Sequence, residues 1–475
     1  MTGPVSFLRC QGCASIVPPE VPAPFRCEAA VAGDDTDHRI DRVLDTTRLA
    51  FPQATEPNPF LRYRVLLHSY HHARAMGLSD ASYSDLVREL DAAVARTDGA
   101  GFRITPLGAS ASLGAELGLP PGATLWVKDE TRNVSGSHKA RHLMGLLLFL
   151  EVQRRCGRLA GAGRPLAIAS CGNAALAAAV VARAGERRLR VFVPPSANPA
   201  VLERLRSLDA EITLAGREPG GPPGDPCYHA FRAAVAAGAI PFCCQGPDNG
   251  LTIEGGQTLG YELVSELAPR GLSLDRLFIQ VGGGALASAV MAAFEEAVAL
   301  GRCKRLPRLH AVQTTNAHPL VRAYRRVCQR IGQRLIETRA VERWPDPTDD
   351  AAQAQMIELH GWPALVAEAL RFAATHRSEF MWPWEEEPHS VAHGILDDET
   401  YDWLSIVRAM LLSGGYPVLA DEAALRAAQA LGSRATGIPV DPTGAAGLAG
   451  LLASRDRLRL RPDEQLAVIF SGVQR

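Results

Sequence analysis

The chain has 475 residues, of which 47% are hydrophobic and 21% are charged, a composition typical of a globular protein that excludes a mainly disordered chain. Its 50 Lys and Arg residues almost balance 51 Asp and Glu residues, and the net charge of −1 gives no global field to attract nucleic acid or an anionic membrane. At roughly 100–200 residues per domain, the length predicts two to four domains or lobes.

The sequence also predicts no membrane partner and no secreted form. Its longest apolar runs, residues 143–150 and 174–182, are shorter than the ~18 residues that a membrane span needs. The first residues lack a basic segment followed by an apolar stretch, so we expect no signal peptide. Ten cysteines are too few for a disulfide scaffold, and several lie in apolar runs. We therefore expect a reduced, cytoplasmic protein.

Short apolar runs alternate with long Ala- and Leu-rich stretches of helical periodicity. Runs that are apolar throughout are typical of strands covered on both faces, and strand–helix alternation predicts a parallel α/β architecture. The predicted strands lie at residues 125–128, 165–170, 189–194, 276–281, 309–313 and 465–470. The predicted helices lie at residues 139–154, 174–184, 256–267 and 286–299.

Two segments interrupt this alternation. Residues 216–226 are rich in Gly and Pro and predict a loop. Residues 315–387 carry amphipathic helix patterns and are compatible with an inserted lid, a helical subdomain or a plain surface excursion; we favour the last of these.

Three turns between a strand and a helix carry candidate chemistry. Lys139 stands where a helix begins, and there the positive end of the helix dipole disfavours a cation and favours a nucleophilic amine. The second turn is Ser170-Cys171-Gly172-Asn173, in which Ser170 is a candidate helix cap and the free backbone N–H groups suit a carboxylate or a phosphate. The third turn contains three glycines, which let backbone amides converge on a phosphate; they are Gly282, Gly283 and Gly284.

In this order and spacing, the three turns resemble those of the fold-type-II pyridoxal-phosphate enzymes, over residues 102–471. The family includes threonine synthase, threonine and serine dehydratases, cysteine synthase and the tryptophan synthase β chain. The resemblance implies a two-lobed α/β fold with mostly parallel sheets. It divides the chain into an N-terminal extension (1–100) and a catalytic core (101–475), with a smaller lobe at about 130–245, a larger lobe from the remainder, and a helical insertion at about 315–387.

The resemblance also implies pyridoxal 5'-phosphate as the cofactor and assigns roles to residues of the turns. Lys139 would form the covalent link to the cofactor, and Asn173 would face the pyridine hydroxyl. The cofactor phosphate would lie on Gly282, Gly283, Gly284, Ala285 and Leu286, and Ser471 would face the pyridine nitrogen. Substrate binding would fall to Ser135, Ser170, Cys171 and Gly172.

The subfamily signals are mixed. Residues 170–175 are closer to threonine synthase, whereas Ser390–Ile395 resembles a dehydratase segment in which His393 replaces an acid; residues 253–262 and 441–446 resemble both. A hydroxyl partner such as Ser471 leaves the pyridine nitrogen largely neutral, which suits elimination and replacement better than transamination.

We therefore expect a lyase that carries out α,β-elimination on a small hydroxy or β-substituted amino acid. Threonine-synthase-like γ-elimination and hydration, or β/γ-replacement, is the alternative. The Asp that threonine synthases carry after the lysine is absent here, although Arg141 leaves a phosphorylated substrate open. A non-catalytic binding protein with the same fold is a third alternative, and a homodimer is a candidate assembly.

The N-terminal region contains two further clusters. Cys10-x-x-Cys13 followed by Cys27 resembles the zinc-ribbon-like start of some threonine synthases, but a closed zinc site needs four ligands and only His38 or acidic residues are available. We interpret these residues as isolated thiols, predict no metal, and leave zinc as the open alternative. Histidines 68, 71 and 72 share helical spacing and are interpreted as a surface or packing feature.

Overall fold

The protein, described by a computed structural model over residues 3–31, 33–159, 163–217 and 224–475, is a mixed α/β molecule. Most of the predicted loop at 216–226, namely residues 218–223, lies outside these ranges. The strands are β1 Ser6–Cys10, β2 Ile16–Val17, β3 Ile40–Leu44, β4 Leu107–Ala109, β5 Thr124–Asp129, β6 Leu166–Ala169, β7 Leu189–Val193, β8 Glu211–Leu214, β9 Ile240–Pro241, β10 Arg276–Gln280, β11 Arg308–Thr314, β12 Val418–Ala420 and β13 Gln465–Phe470.

The helices connect and cover these strands. They are α1 Pro59–Arg62, α2 His68–Ala75, α3 Asp80–Asp98, α4 Ala111–Glu116, α5 Lys139–Arg155, α6 Asn173–Ala184, α7 Pro199–Ser207, α8 Pro226–Ala236, α9 Thr252–Leu267, α10 Ala285–Ala299, α11 Pro319–Glu337, α12 Asp350–His360, α13 Pro363–Thr375, α14 Trp403–Ser413, α15 Glu422–Thr436 and α16 Ala446–Ser454. Short 3₁₀ turns lie at Thr46–Arg48, Arg64–Leu66, Val134–Gly136, Ala268–Arg270, Arg377–Glu379 and His393–Ile395.

Two mostly parallel sheets form the centre of the molecule. The larger sheet has six strands in the order β12-β11-β10-β13-β5-β4, and only the β4–β5 pair is antiparallel. The smaller sheet has four parallel strands in the order β8-β7-β6-β9. β13 is buried along its whole length because helices cover both faces of the larger sheet. The predicted α/β class with parallel sheets is confirmed.

The predicted strands and helices of the core are confirmed with small shifts in their bounds. Each of the six predicted strands coincides with one of β5, β6, β7, β10, β11 and β13, and the four predicted helices coincide with α5, α6, α9 and α10. The sequence did not predict the short strands β8, β9 and β12. They have two to four residues, so they carry too few positions for a periodic signal.

The N-terminal region has a small antiparallel sheet of its own. The order is β2-β1-β3, and β1 pairs with β3 along five residues from Ser6↔Leu44 to Cys10↔Ile40. Just before β3, Arg39 donates hydrogen bonds to Asp402 and Ser405, which ties this sheet to the core. The histidines of α2 act in packing, because His68 and His72 are buried and lie against the ring of Phe149.

Residues 315–387 fold as helices that contribute to the core. α11 buries one face, including Leu320, Tyr324 and Ile331, and α13 packs against it. The segment therefore differs from the plain surface excursion that we favoured, because its apolar stripe packs on α12, α13 and α14 and joins the apolar cluster that contains residues of the larger sheet. Within the described ranges, no helix is long and apolar enough to cross a membrane.

Candidate active site

Lys139 is positioned by contacts between two distant parts of the chain. After β5 the chain passes through the 3₁₀ turn Val134–Gly136 and begins α5 at Lys139. Ser137 forms a bridge with Gly472, and the backbone N–H of His138 donates to the carbonyl of Ser471 over 3.1 Å. The lysine is therefore held beside the carboxyl end of β13.

His138, the residue before the lysine, is buried against the same strand end. Its Nδ1 lies 3.1 Å from the Ser471 carbonyl, which accepts only, so Nδ1 carries the proton. Burial, reinforced by the charge of Lys139, keeps the pKa of His138 well below its usual range. The ring is therefore neutral and adds no second cation beside the lysine.

The Ser471 hydroxyl is oriented by Gln280 at the end of β10. Gln280 Nε2 donates to Ser471 Oγ over 2.5 Å and to the carbonyls of Gly444 and Ile469 over 3.1 Å each. Because two of these partners are carbonyls, the amide can only present its NH₂ group to them. Ser471 Oγ thus accepts from Gln280, and its own proton is available for a different acceptor.

The three glycines form a tight turn at the start of α10, where a 395–402 segment packs against them. Gly284 has φ of 103°, which favours glycine. A Cβ atom at Gly283 would lie 2.7 Å from the ring of Tyr401, and one at Gly282 would collide with Asp397 Oδ2. The backbone N–H groups at the start of this 15-residue helix are available to bind an anion.

Asp397 shows that the turn does receive a negatively charged oxygen. The backbone N–H of Gly283 donates to the Asp397 carboxylate. Burial raises the pKa of Asp397 to about 6, although the nearby charge of Lys139 and this hydrogen bond act in the opposite direction. This interaction indicates that the Lys139 side chain lies near the glycine turn.

Asn173 lies at the start of α6, beside the end of β13. Its Oδ1 accepts a hydrogen bond from Arg475, its amide donates to Asp441, and a Cβ atom at Gly472 would lie 2.7 Å from its Nδ2. Burial raises the pKa of Asp441 to about 6, while the Gly444 N–H, Arg475 and Asn173 lower it.

The candidate substrate-binding residues lie around this cluster with different exposures. Ser170 Oγ accepts from the Gly172 N–H over 3.4 Å, and Gly172, not Ser170, is the N-cap of α6. The prediction that Ser170 caps the helix was therefore wrong. Cys171 is exposed, whereas Ser135 is buried with φ of 54° and its carbonyl accepts from Arg475.

The structure thus brings the sequence-predicted residues to one place. His138, the neighbour of Lys139, contacts Ser471, and Asn173 lies against Gly472 after the end of β13. Asp397 lies beside the glycine turn and is close enough to Lys139 to interact with it electrostatically. Ala285 and Leu286 lie buried in the first turn of α10.

Sequence reasoning missed the partners Gln280, Asp397, Tyr401, Asp441 and Arg475. Two of them stood inside recognised segments: Gln280 precedes the glycines and Asp441 opens the 441–446 segment. His393, which stands where the dehydratase segment has an acid, is exposed, whereas Asp397 a few residues later is buried beside the glycine turn. The contact of Asp397 with the glycine turn depends on tertiary packing, so no local sequence pattern indicates it.

Arg141 is not available to a substrate. Its side chain is fully buried, its Nε lies 2.8 Å from Glu130 Oε2, and its NH1 lies 2.6 Å from Glu262 Oε1. Lys128 joins the same network 2.7 Å from Glu262 Oε2. This finding removes the basis on which Arg141 left a phosphorylated substrate open.

The residues present fit pyridoxal phosphate. Buried polar atoms beside the lysine, Ser137 Oγ and His138 Nε2, have no hydrogen-bond partner among the residues that the structure describes. The glycine turn offers N–H groups to the cofactor phosphate. Lys139 offers an amine to the cofactor aldehyde, and Ser471 offers a hydroxyl to the ring nitrogen. Polar groups of this kind are expected where a cofactor supplies the missing partners.

Comparison with known proteins agrees with this geometry. The model of the family described as "Pyridoxal-phosphate dependent enzyme" matches residues 100–355, which is more than half of the chain. The chain belongs to this family. Its cofactor is pyridoxal 5'-phosphate, and the fold-type-II resemblance is confirmed by solved structures with the same fold.

Two of these structures are a threonine deaminase from T.th. and a fungal L-serine ammonia-lyase from Rhizomucor miehei. The first is 21% identical with a TM-score of 0.55, and the alignment covers 82% of this chain and 98% of that one. The second is 18% identical with a TM-score of 0.52, and the alignment covers 78% of this chain and 94% of that one. At these identities the likeness concerns the fold.

Among curated proteins, an L-serine dehydratase of Saccharomyces cerevisiae (strain AWRI1631) is 27% identical over 175 residues, which is 36% of this chain and 51% of that protein. A second L-serine dehydratase of Saccharomyces cerevisiae is 29% identical over 171 residues, 35% of this chain and 49% of that protein. The chain thus spans about half the length of the curated relatives that it matches.

Proposed function

We propose that the protein is a pyridoxal-phosphate-dependent lyase that carries out α,β-elimination on a small hydroxy or β-substituted amino acid. The observation that carries the proposal is the Gln280–Ser471 pair. Gln280 occupies a lone pair of the Ser471 hydroxyl, so this group donates its proton and leaves a ring nitrogen in front of it uncharged. Such a ring favours elimination over transamination.

The remaining groups take roles that follow from their positions. Lys139 holds the cofactor and, once released, its amine removes the proton from the substrate Cα. The N–H groups at the start of α6, beside Gly172, bind the substrate carboxylate, and those at the glycine turn bind the cofactor phosphate. When bound, pyridoxal phosphate supplies the electron sink that stabilises charge at Cα.

The names of relatives support this reaction class. L-Serine dehydratases are the curated proteins quoted above, and a threonine deaminase and a serine ammonia-lyase share the fold. The burial of Arg141 argues against a phosphorylated substrate. Arg141 is the first basic residue after Lys139, and its guanidinium pairs with Glu130 and Glu262, so it is not available to a substrate phosphate.

The deciding experiment offers the purified holoenzyme serine, threonine and O-phosphohomoserine in parallel. Ammonia, 2-oxo acid, phosphate and threonine are followed together, with Lys139→Ala as the inactive control. We expect equal amounts of 2-oxo acid and ammonia from serine or threonine, without phosphate. Phosphate and threonine in equal amounts from O-phosphohomoserine, with no 2-oxo acid from the other substrates, would establish threonine-synthase-like chemistry instead.

We further propose a homodimer in a reducing compartment such as the cytoplasm. All ten cysteines lie in the described ranges and none of them forms a disulfide there, which supports a reducing environment. Light scattering on the eluting protein measures the assembly, and a mass of one chain contradicts the dimer.

A further inference from the structure

Four metal-ligating side chains of the N-terminal region meet at one point outside the proposed cofactor site. Cys10, Cys13, Cys27 and His38 each offer one ligand atom, and all four atoms lie within 4.8 Å of one another. Cys10 ends β1, Cys13 follows in the turn, and Cys27 and His38 come from the loop that leads to β3. The sequence offered either His38 or an acidic residue as the fourth ligand, and the structure places His38 there, 28 residues from Cys10.

Two distances between these atoms match edges of a zinc tetrahedron, and the others are at most 4.8 Å. Zn–S bonds of about 2.3 Å and a Zn–N bond of about 2.0 Å separate two sulfurs by about 3.8 Å and a sulfur from a nitrogen by about 3.5 Å. Cys13 Sγ lies 3.7 Å from Cys27 Sγ, and Cys10 Sγ lies 3.4 Å from His38 Nδ1. A disulfide needs about 2.05 Å, so the thiols are not bonded to each other.

The imidazole is oriented as in a metal ligand. His38 presents Nδ1 to the sulfurs, while its Nε2 lies 2.7 Å from Asp34 Oδ2. A carboxylate on the far ring nitrogen fixes the proton there and leaves Nδ1 with a lone pair for the metal. Asp34 is itself held by the N–H of Thr36 over 2.5 Å.

The backbone around the cluster also supports the approach of these four side chains to one another. The N–H groups of Gly12 and Cys13 approach Cys10 Sγ, and that of Ala29 approaches Cys27 Sγ. A Cβ atom at Gly12 would collide with the carbonyl of Asp37, so glycine is required for the turn to accept the loop that carries His38.

We propose that Cys10, Cys13, Cys27 and His38 form a structural zinc site with three thiolates and one imidazole. Three soft sulfur ligands and one nitrogen in a tetrahedron favour Zn²⁺ over Mg²⁺ or Ca²⁺, and four protein ligands leave no open position for catalysis. This assigns a metal to residues that the sequence analysis interpreted as isolated thiols.

The site's function is to hold the N-terminal region against the segment that covers the glycine turn. Arg39 follows His38 and donates to Asp402, whose backbone N–H donates to the carbonyl of Gly283 over 3.0 Å. Cys27 and His38 also line a cavity of about 620 Å³, whose other wall includes Tyr401. Zinc therefore stabilises one wall of the space beside the cofactor phosphate.

The test is the metal content of the untagged, full-length holoenzyme, with Cys13→Ser compared with Cys303→Ser. Cys13 is exposed, so the change removes a ligand without opening a core cavity, and Cys303 is a half-buried thiol outside the cluster. We expect one zinc per chain in the wild type and in Cys303→Ser, and a loss of at least ten-fold in Cys13→Ser. Circular dichroism verifies that the Cys13→Ser chain is folded.

Two further measurements separate the site from adventitious binding. Replacement of zinc by Co²⁺ should give the visible bands of a tetrahedral ion with intense thiolate charge transfer. Asp34→Asn should weaken zinc affinity by about 10- to 100-fold while leaving all four ligands in place. No zinc after incubation with excess Zn²⁺, equal zinc in Cys13→Ser, or a Cys13–Cys27 disulfide in the reduced protein would each overturn the proposal.

Discussion

At the scale of single residues, the hydrogen bonds of Gln280 matter more than its residue type. Gln280 stands at the end of a buried strand, and its NH₂ group donates to three acceptors at the end of β13 and in the 441–446 segment, whereas its Oε1 has no partner among the described residues. Its specific consequence is the direction of the Ser471 proton. In the proposed function, the orientation of this amide would decide whether Ser471 donates to the cofactor ring nitrogen.

We expect Gln280→Met to lower kcat by ten-fold or more with a smaller change in KM. The substitution keeps the volume but releases Ser471 Oγ and leaves two carbonyls unpaired, which costs on the order of 1–3 kcal/mol each. Steady-state kinetics and the absorbance of the bound cofactor measure the effect. Gln465→Met, at the opposite end of β13, is the matched control and should lose stability while keeping kcat. Equal kinetics in the two variants would contradict the role of Gln280.

Asp397 predicts a pH dependence of cofactor binding. Its pKa is raised to about 6, above the ordinary value, so the carboxyl is protonated below about pH 6 and charged above it. The charged form faces the Gly283 N–H that we assign to the cofactor phosphate, and like charges at this separation repel. Lys139, Asp225 and Asp398 also act on this group.

Asp397→Asn should therefore tighten cofactor binding at pH 8 by about ten-fold and have little effect at pH 5. Titration of the apoenzyme with pyridoxal phosphate at both pH values measures the difference, with the wild type as reference at each pH. Asp398→Asn, at the neighbouring position, is the control and should increase the affinity for the cofactor less than Asp397→Asn does. Weaker binding in Asp397→Asn at pH 8 would show that the carboxylate supports the cofactor instead.

At the scale of elements, α5 begins at Lys139, the proposed cofactor lysine, and is buried from Ala140 to Gln153. Its packing against α9 is close, because a Cβ atom at Gly255 would collide with the carbonyl of Arg141. Two residues into α5, Arg141 joins Glu130 and Glu262 in a network without solvent access. The helix therefore positions Lys139 through buried charges as well as apolar contacts.

We expect Arg141→Met to destabilise the protein by about 3–5 kcal/mol, because it leaves Glu130 and Glu262 with too little compensating charge. Arg154→Met on the same helix removes an exposed guanidinium from the buried Glu151, which keeps Arg187 as a second partner, and should cost about 1 kcal/mol or less. Urea unfolding of both variants measures the comparison. If Arg141→Met has normal stability and loses activity only with phosphorylated substrates, Arg141 binds the substrate and our interpretation is wrong.

The elements also show what the sequence can and cannot predict. Long apolar strands and Ala-rich helices such as β13 and α10 were predictable because burial on all sides leaves a continuous pattern. The N-terminal sheet was not predicted, since β2 has two residues and β1 alternates with polar positions. In the site, Lys139 and the glycines were found from local turns, whereas Asp397 and Arg475 reach it only through tertiary contacts.

At the scale of the whole molecule, the N-terminal sheet and the catalytic core are joined through buried charge. Arg39 NH1 lies 2.5 Å from Asp402 Oδ1, and both side chains are almost inaccessible to solvent. A Cβ atom at Gly246 would collide with the same carboxylate oxygen, so the core is shaped to receive this pair. The contact lies one residue from Tyr401, which packs on the glycine turn.

Arg39→Met should loosen the N-terminal region and weaken cofactor retention together. The change leaves Asp402 buried without its main partner, at a cost of about 3–5 kcal/mol. We expect faster limited proteolysis within the first 50 residues and at least a several-fold rise in the Kd of pyridoxal phosphate. Arg48→Met, in the exposed turn after β3, is the control. Unchanged proteolysis and Kd in Arg39→Met would show that the two parts are energetically independent.

The place of β13 in the larger sheet has a consequence for biosynthesis. β13 pairs with β10 on one side and with β5 on the other, so β4 and β5 have no pairing with β10–β12 until it is inserted. It follows the other twelve described strands in the chain, and it also carries the segment that fixes Lys139. Until β13 has emerged from the ribosome, the strands of the larger sheet therefore remain in two separate groups. Cofactor loading has to wait until translation has passed β13.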